Sequence, residues 1–382
     1  MHELPDGWTL HRLLDLVMLP MGQVDPRRHP YSAQPLIAPD HIESRTGRLL
    51  EVRTAAEQGA ISGKYAIAPS DVIYSKIRPA LRKATLAKFD GMCSADMYPL
   101  RPTGAIDSGY LLAVVLSEAF STFAEAVSGR SGIPKVNRSE LREYVLPLPP
   151  VGEQRRIAEV LDALDTLIQR TEAIRAKQQS VQAGTIARLM TQGPTDGQSN
   201  WQRFTCRDAF KLASGIPYPS AMATSGPVPI YGASGLSGYS HRALTAGPTF
   251  SIGRVGEGGV GVVYYIPGPA WITDNALWAK WIDPRWDAEF VSSYLSWLNL
   301  RRLRSQTGQP LVTQAVIAPL ALPMPPMKDQ LKIVAIVRKM NASMQQIAME
   351  KQKLLAVKQG LMEDLLTGRV RVDMADAVLE VL

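Results

Sequence analysis

The chain has 382 residues, a formal net charge of +7 and an isoelectric point near 9.3. Its 46% hydrophobic content excludes a disordered chain, and its length fits two or three packed domains. The moderate basicity fits a polyanion partner without requiring one.

In chain order, residues 1–150 form a first mixed segment. Ala66-Ile67-Ala68 and Asp71-Val72-Ile73-Tyr74-Ser75 read as short strands punctuated by Gly and Pro. Residues 108–127 read as helix. After Pro150 the character changes. Residues 152–191 lack proline and are rich in Glu, Gln, Arg, Ala and Leu, which predicts one long helix over 151–192. About 40 residues make a rod of roughly 60 Å. A linker composition over 193–200 opens a second mixed segment, richer in Gly and aromatics, that runs to 326. A second proline-free stretch predicts a long helix over 327–368. Residues 369–382 form a tail, expected to add a strand and a short helix to the body.

Both long helices carry a seam. In the second, Ile333, Met340, Ile347, Leu354 and Leu361 recur every seven residues. In the first, Ile157, Val160, Leu164, Leu167, Thr171, Ile174 and Val181 keep coiled-coil spacing. That seam weakens beyond Thr171, where Gln178, Thr185 and Arg188 occupy it. Neither mixed segment needs a 60 Å rod for its core, so the helices are read as packing antiparallel on each other. Two separate helices, each lying on its own domain, are the alternative. Gly184 and Gly360 stand at the same place in each rod. Each costs about 1 kcal/mol relative to Ala in a helix interior, which predicts a close backbone approach there.

An internal repeat sets the architecture. Leu146-Pro147-Leu148-Pro149-Pro150 runs into Gln154 and Ile157, and Leu322-Pro323-Met324-Pro325-Pro326 runs into Gln330 and Ile333. The offset of 176 residues also relates Gly132 to Gly308, Pro134 to Pro310, and Leu189-Met190-Thr191 to Leu365-Leu366-Thr367. The prolines make a stiff extended lead into each helix. The expected fold is α+β: two mixed segments separated by two long helices forming an antiparallel coiled coil, with a pseudo-two-fold internal repeat. Such an object suits a two-fold partner, and duplex DNA is the commonest.

Catalytic chemistry finds no seat. Cys93 and Cys206 are the only cysteines, too far apart in sequence for a metal cluster, and read as reduced packing residues. His2, His11, His29, His41 and His241 show no metal-ligand spacing. Gly256-Glu257-Gly258-Gly259-Val260-Gly261 has the letters of a dinucleotide fingerprint, but a strand follows it where a helix must, so it reads as a glycine-rich hairpin. There is no Walker A loop and no Asn-Pro-Pro-Tyr-like tetrapeptide. No catalytic, cofactor-binding or metal residue is assigned. No apolar run approaches the roughly 18 residues of a membrane span, and the N-terminus lacks a signal-peptide layout. A soluble, cytoplasmic protein is expected.

Basic and polar loop residues remain. Lys76, Arg78, Arg82 and Lys83 follow a strand, and Arg78 aligns with Arg254 at the repeat offset. Arginine at a strand end suits a guanine edge or a phosphate. Arg130 and Lys135 precede the first helix, and Arg304, Gln306 and Gln309 precede the second, in loops whose glycines admit close backbone approach. All ten are candidate DNA contacts. Asp96 and Asp274 read as carboxylates that cap turns.

At these residues the chain resembles the specificity (S) subunit of type I restriction-modification systems. The marks are the Pro-Leu-Pro-Pro…Glu-Gln-x-x-Ile entry at 147–157, its variant at 323–333 with Asp329 for the usual Glu, and Leu365-Leu366-Thr367-Gly368-Arg369-Val370-Arg371-Val372. Ser75-Lys76-Ile77-Arg78-Pro79, Cys93-Ser94-Ala95-Asp96, Ile230-Tyr231-Gly232 and Gly253-Arg254-Val255-Gly256 look like the family's target recognition domains. The resemblance covers essentially the whole chain. It implies two target recognition domains, over 1–150 and 193–326, each reading half of a split, asymmetric DNA site, with the helices as the ruler between them. It also implies docking of methyltransferase subunits, with restriction subunits bound through those. S-adenosylmethionine and ATP then belong to the partners, and this chain needs no cofactor. The rival readings are a stand-alone DNA-modifying enzyme and a coiled-coil assembly scaffold.

Overall fold

The computed structural model describes residues 4–129, 132–194, 201–218, 226–305 and 310–372. The chain divides into two compact units. Unit 1 comprises Met1–Ala173 and Met349–Leu382, and unit 2 comprises Ile174–Ala348.

Unit 1 opens with β1 (Thr9–Arg12), α1 (Leu13–Leu16) and β2 (Val17–Met18). There follow β3 (Leu36–Ile37), β4 (Tyr65–Ile67), β5 (Val72–Ser75), β6 (Ala84–Leu86), β7 (Gly91–Cys93) and β8 (Met97–Pro102). Helices α2 (Ser108–Leu116), α3 (Glu118–Val127) and α4 (Arg138–Leu141) lead to β9 (Val145–Leu148) and the long α5 (Val151–Gln192). An antiparallel sheet of order β2-β8-β5-β6 carries the core. Every residue of β5 is buried, as the unbroken apolar run Val72-Ile73-Tyr74 requires of a strand covered on both faces. The Asp107 carboxylate caps α2 by accepting the N–H groups of Gly109 and Tyr110. Ser117 ends α2 and caps α3. No single helix among the described residues is long and apolar enough to cross a membrane. The bent α2–α3 pair is apolar because Tyr110, Leu111, Phe120 and Ala124 fill the unit 1 core.

Unit 2 holds β10 (Gln202–Thr205), α6 (Cys206–Ala209), β11 (Phe210–Ser214), β12 (Val228–Gly232), β13 (Gly235–Ser240) and β14 (Thr249–Gly253). It continues with β15 (Val263–Ile266), β16 (Trp271–Ile272), β17 (Ala276–Ile282), α7 (Ala288–Trp297), α8 (Gln314–Ile317) and β18 (Ala321–Met324), and α9 (Met327–Thr367) follows. Its sheet β11-β17-β14-β15 repeats β2-β8-β5-β6. Strand β10 pairs with β18 as β1 pairs with β9. Among the described residues each unit also has a parallel pair, β3 with β7 and β12 with β16. The third strand joins β7 in unit 1 but β12 in unit 2, so the copies diverge there.

The repeated glutamine explains the conserved spacing between the two copies. Gln154 is fully buried. Its Oε1 accepts Asp107 N–H at 2.7 Å, and its Nε2 donates to Ala105 O at 3.1 Å and Pro149 O at 2.8 Å. Gln330, also fully buried, accepts Asp287 N–H at 2.7 Å and donates to Arg285 O at 2.8 Å and Pro325 O at 2.9 Å. One amide thus ties a helix cap, the proline lead and the first turn of a long helix together. The Glu153 carboxylate accepts from Trp8 Nε1 at 3.1 Å and pairs with Arg371 at 2.9 Å.

Neither mixed segment is expected to need a helix of roughly 60 Å for its core, yet both cores take in parts of the two long helices. Unit 1 buries Ile157, Val160, Leu161 and Leu164 of α5 with Leu361, Leu365 and Leu366 of α9. Unit 2 buries Ile333, Val334 and Val337 of α9 with Leu189 and Met190 of α5. The helices do pair antiparallel within each unit. In unit 1, Asp165 meets Lys358 and Glu172 meets Lys351, so one helix climbs seven residues as the other descends seven. In unit 2, Gln178 Nε2 donates to Ser343 Oγ at 2.6 Å and Gln182 Nε2 to Asn341 Oδ1 at 2.7 Å.

The seam is partly corrected. Ile157, Leu164, Ile333, Leu354 and Leu361 are buried, and Met340 and Ile347 are half-buried. Ile174 and Val181 are 56% and 55% exposed. The facing row is 157, 161, 164, 168 and 171, and it continues through Gln178 and Gln182 to Leu189. Ile174 and Val181 lie one position off this row, and polar side chains meet in their place. Gly184 and Gly360 do not mark a close approach either, because a Cβ at either site would meet nothing within 4 Å. Gly184→Ala and Gly360→Ala are therefore each expected to stabilise the protein by about 1 kcal/mol. Thermal unfolding checks this, and a lowered midpoint would mean that the space is needed.

Candidate nucleic-acid interface

In unit 1 the chain leaves β5 at Ser75 and is held by two loops. Lys76 N–H donates to Asp96 O at 3.0 Å, Lys76 O accepts Val136 N–H at 2.9 Å, and Arg78 N–H donates to Pro134 O at 2.8 Å. Ile77 and Lys135 form an isolated antiparallel bridge. The loop before the first long helix is thus fastened to the strand end, and it brings Lys76, Arg78 and Lys135 together. Arg78 and Lys135 are exposed. Arg78 adopts φ +50, a left-handed conformation uncommon for a residue with a side chain. Lys76 is only 8% exposed, with its ammonium 5.1 Å from the Tyr98 ring centroid.

Two candidates turn inward. The Arg82 side chain is 12% exposed and pairs with Glu118 in the first turn of α3. Lys83 Nζ donates to Pro39 O at 2.7 Å. Both are structural groups of unit 1, because at their positions the chain has turned back toward α3 and the Pro39 loop. Arg130, Gln306 and Gln309 lie outside the described residues.

In unit 2, Arg254 follows β14. Its N–H donates to Asn275 O at 3.0 Å and its O accepts Val312 N–H at 3.0 Å, while Val255 bridges Leu311. These bonds repeat those of Lys76, with Asn275 in the place of Asp96 and Val312 in the place of Val136. The ladders agree, since Ser75 faces Met97 as Gly253 faces Ala276. Arg254 therefore corresponds to Lys76, and the constant-offset pairing with Arg78 is corrected. A two-residue difference in loop length hides the true register. Asp96 likewise corresponds to Asn275, and among the described residues neither Asp96 nor Asp274 caps a turn with its carboxylate.

Glycine lets three unit 2 segments meet backbone to backbone. A Cβ on Gly253 would lie 2.0 Å from Gly259 O and 2.4 Å from Ala233 O. Gly256–Gly261 is indeed the connection of an antiparallel hairpin, between β14 and β15. The packed glycines place Arg254 where its Nη1 reaches Ser214 Oγ at 3.3 Å. Arg301 Nη2 donates to Glu257 O at 3.2 Å and Gly258 O at 3.0 Å, bracing the same hairpin. Arg304 is exposed beside it. Sequence reasoning missed Arg301 and, in unit 1, Arg138, whose guanidinium lies 5.9 Å from the Tyr98 ring centroid. The run Arg301-Arg302-Leu303-Arg304 was the available signal for the first.

Among the described residues no His, Cys, Asp or Glu group could hold a metal ion. Cys93 and Cys206 are buried and unbridged. Burial pushes both thiols up, that of Cys206 to about 12.

Comparison with known proteins identifies the architecture. The family model of the type I restriction modification DNA specificity domain matches residues 48–178 and 198–359. The EcoDI specificity subunit of Escherichia coli, a type I restriction enzyme subunit, is 36% identical over 169 residues, which span 43% of this chain and 37% of that subunit. The type I restriction-modification S subunit from M. genitalium superposes with a TM-score of 0.64 at 17% identity, over 96% of this chain and 98% of that one. A chain solved in work on complex assembly and conformational transition of the type I R-M system gives a TM-score of 0.63 at 19% identity, over 97% and 100%. Two matched copies cover most of the sequence and fall on the two units. The chain belongs to the type I restriction modification DNA specificity family.

Proposed function

We propose that this chain is the non-catalytic DNA sequence-recognition subunit of a type I restriction-modification complex. Each unit reads one half of an asymmetric bipartite site. The long helices serve as the spacer and dock methyltransferase subunits, through which restriction subunits bind. S-adenosylmethionine and ATP are handled by those partners, and the complex works in the cytoplasm. The observation that carries the reading is a duplicated frame with unlike tips. Gln154 and Gln330 make the same three bonds in both units, while the corresponding strand-end residues are Lys76 and Arg254. Equivalent frames whose tips differ suit two halves of a DNA site that are contacted in different ways.

The test is a map of methylated motifs in cells expressing the chain with its methyltransferase subunits. A split, asymmetric motif that vanishes without this chain is expected. Methyl transfer by the purified chain alone would instead establish a stand-alone enzyme. At the residue level, Arg254→Ala should cost about 1–3 kcal/mol at one base pair if the guanidinium reads a base edge. Competition binding with single-base variants of the motif measures this, and equal losses on every sequence would make it a phosphate contact.

A further inference from the structure

The strand-end correspondence exposes an asymmetry between the units. In unit 1, Lys76 and Arg138 meet at Tyr98, and Lys135 lies near enough to Lys76 for its charge to act on it. Two cations flank that one ring, Lys76 Nζ at 5.1 Å and Arg138 Cζ at 5.9 Å from its centroid. The backbone bridge between Ile77 and Lys135 brings the third cation alongside. Among the described residues no carboxylate oxygen lies within 4.0 Å of a charged nitrogen of any of the three. The Arg138 guanidinium donates to Pro20 O at 3.1 Å. The nearby Glu140 carboxylate accepts Asn137 N–H at 2.7 Å.

Lys76 is the telling member. As a whole residue it is more than nine-tenths buried, and among the described residues its ammonium has no hydrogen-bond acceptor, while the nitrogen itself is open to solvent. Burial, and then the charge of Lys135, lower its pKa below the usual lysine value, against the opposing charge of Asp96. With Lys135 and Arg138 as like-charged neighbours and Asp96 as the opposing charge, a solvent-open ammonium held here favours an added anion.

Unit 2 has no such arrangement at the corresponding positions. Arg254 stands for Lys76, Leu311 for Lys135, and Gln314, the first residue of α8, for Arg138, the first residue of α4. Leu277 faces Ile252 where Tyr98 faces Tyr74.

We propose that Lys76, Lys135 and Arg138 around Tyr98 form a cradle for a phosphodiester oxyanion of duplex DNA, present in unit 1 and missing from unit 2. The proposal rests on the DNA-recognition reading above and assigns to one unit a sequence-independent grip. Lys76 and Arg254 then hold equivalent stations with different tasks.

The test is the salt dependence of duplex DNA binding by the chain with its methyltransferase subunits, on both the methylated-motif sequence and a scrambled duplex. One phosphate contact contributes about 0.9 to the slope of log K against log salt. Lys76→Met, which keeps the stem, should lower that slope by about this amount. The loss of affinity between 50 and 200 mM salt should then shrink about three-fold, equally on both duplexes. Lys135→Met, on an exposed side chain, should do the same and serves if the first variant folds poorly. Gln314→Met in unit 2 should leave the slope unchanged. Unchanged slopes in both lysine variants, or a loss confined to the motif duplex, would overturn the cradle. Equal wild-type binding to both duplexes would defeat the recognition reading instead, with the slopes still deciding the cradle.

Discussion

Gln154→Ala is expected to destabilise unit 1 by about 3–5 kcal/mol, and Gln330→Ala to do the same in unit 2. Each change removes three hydrogen bonds from a fully buried site and leaves a cap N–H and two carbonyls without partners. A buried backbone group left unpaired costs about 1–3 kcal/mol, and alanine offers neither the donor nor the acceptor of the amide it replaces. Methionine of similar volume should not rescue either position, which separates lost bonding from lost packing. Calorimetry of the two single variants measures the effect. A loss below about 1 kcal/mol would show that water satisfies the freed groups. Because the same amide holds the proline lead against the start of a long helix, the weakened unit should also lose its half of the DNA site first.

The sequence made the duplicated frame legible because the frame is local. Two proline leads, each followed at fixed spacing by a buried glutamine, announce two equal joints between a domain and a helix, and the three bonds of each glutamine are why the spacing cannot drift. Helix periodicity found the long elements but misplaced part of the seam. Ile174 and Val181 satisfy a three-and-four rhythm, yet 178 and 182 face the partner helix, since apolar spacing alone does not distinguish two rows one position apart. Glycine misled in the same way, because an open position and a crowded one look alike in sequence. Gly253 is crowded by two backbone oxygens, while Gly184 is not crowded at all. The pairing of Lys76 with Arg254 was hidden by unequal loops, and only backbone hydrogen bonds restore it. Inward-turned Arg82 and Lys83 could not be told from outward-facing cations, because burial is decided by how distant segments pack.

Removing seven residues from each long helix, 175–181 and 342–348, is expected to shorten the preferred spacer of the DNA site by up to about three base pairs, or to abolish binding. Seven residues are about 10 Å of helix, and base pairs rise about 3.4 Å each. The deletions are chosen at the polar stretch, where none of the removed residues is fully buried, so neither core loses a packed side chain. They also remove matching levels. Glu172 and Lys351 lie on one side of the cut, Gln182 and Asn341 on the other, and both pairs can re-form. Removing 175–181 alone moves Gln182 about 10 Å past Asn341, so the single deletion should destabilise the chain where the double one does not. Methylated-motif mapping of cells carrying the double deletion reads the spacer directly. A motif with its original spacing would reject the helices as the ruler, and the distance between half-sites would then have to be set within the two units themselves.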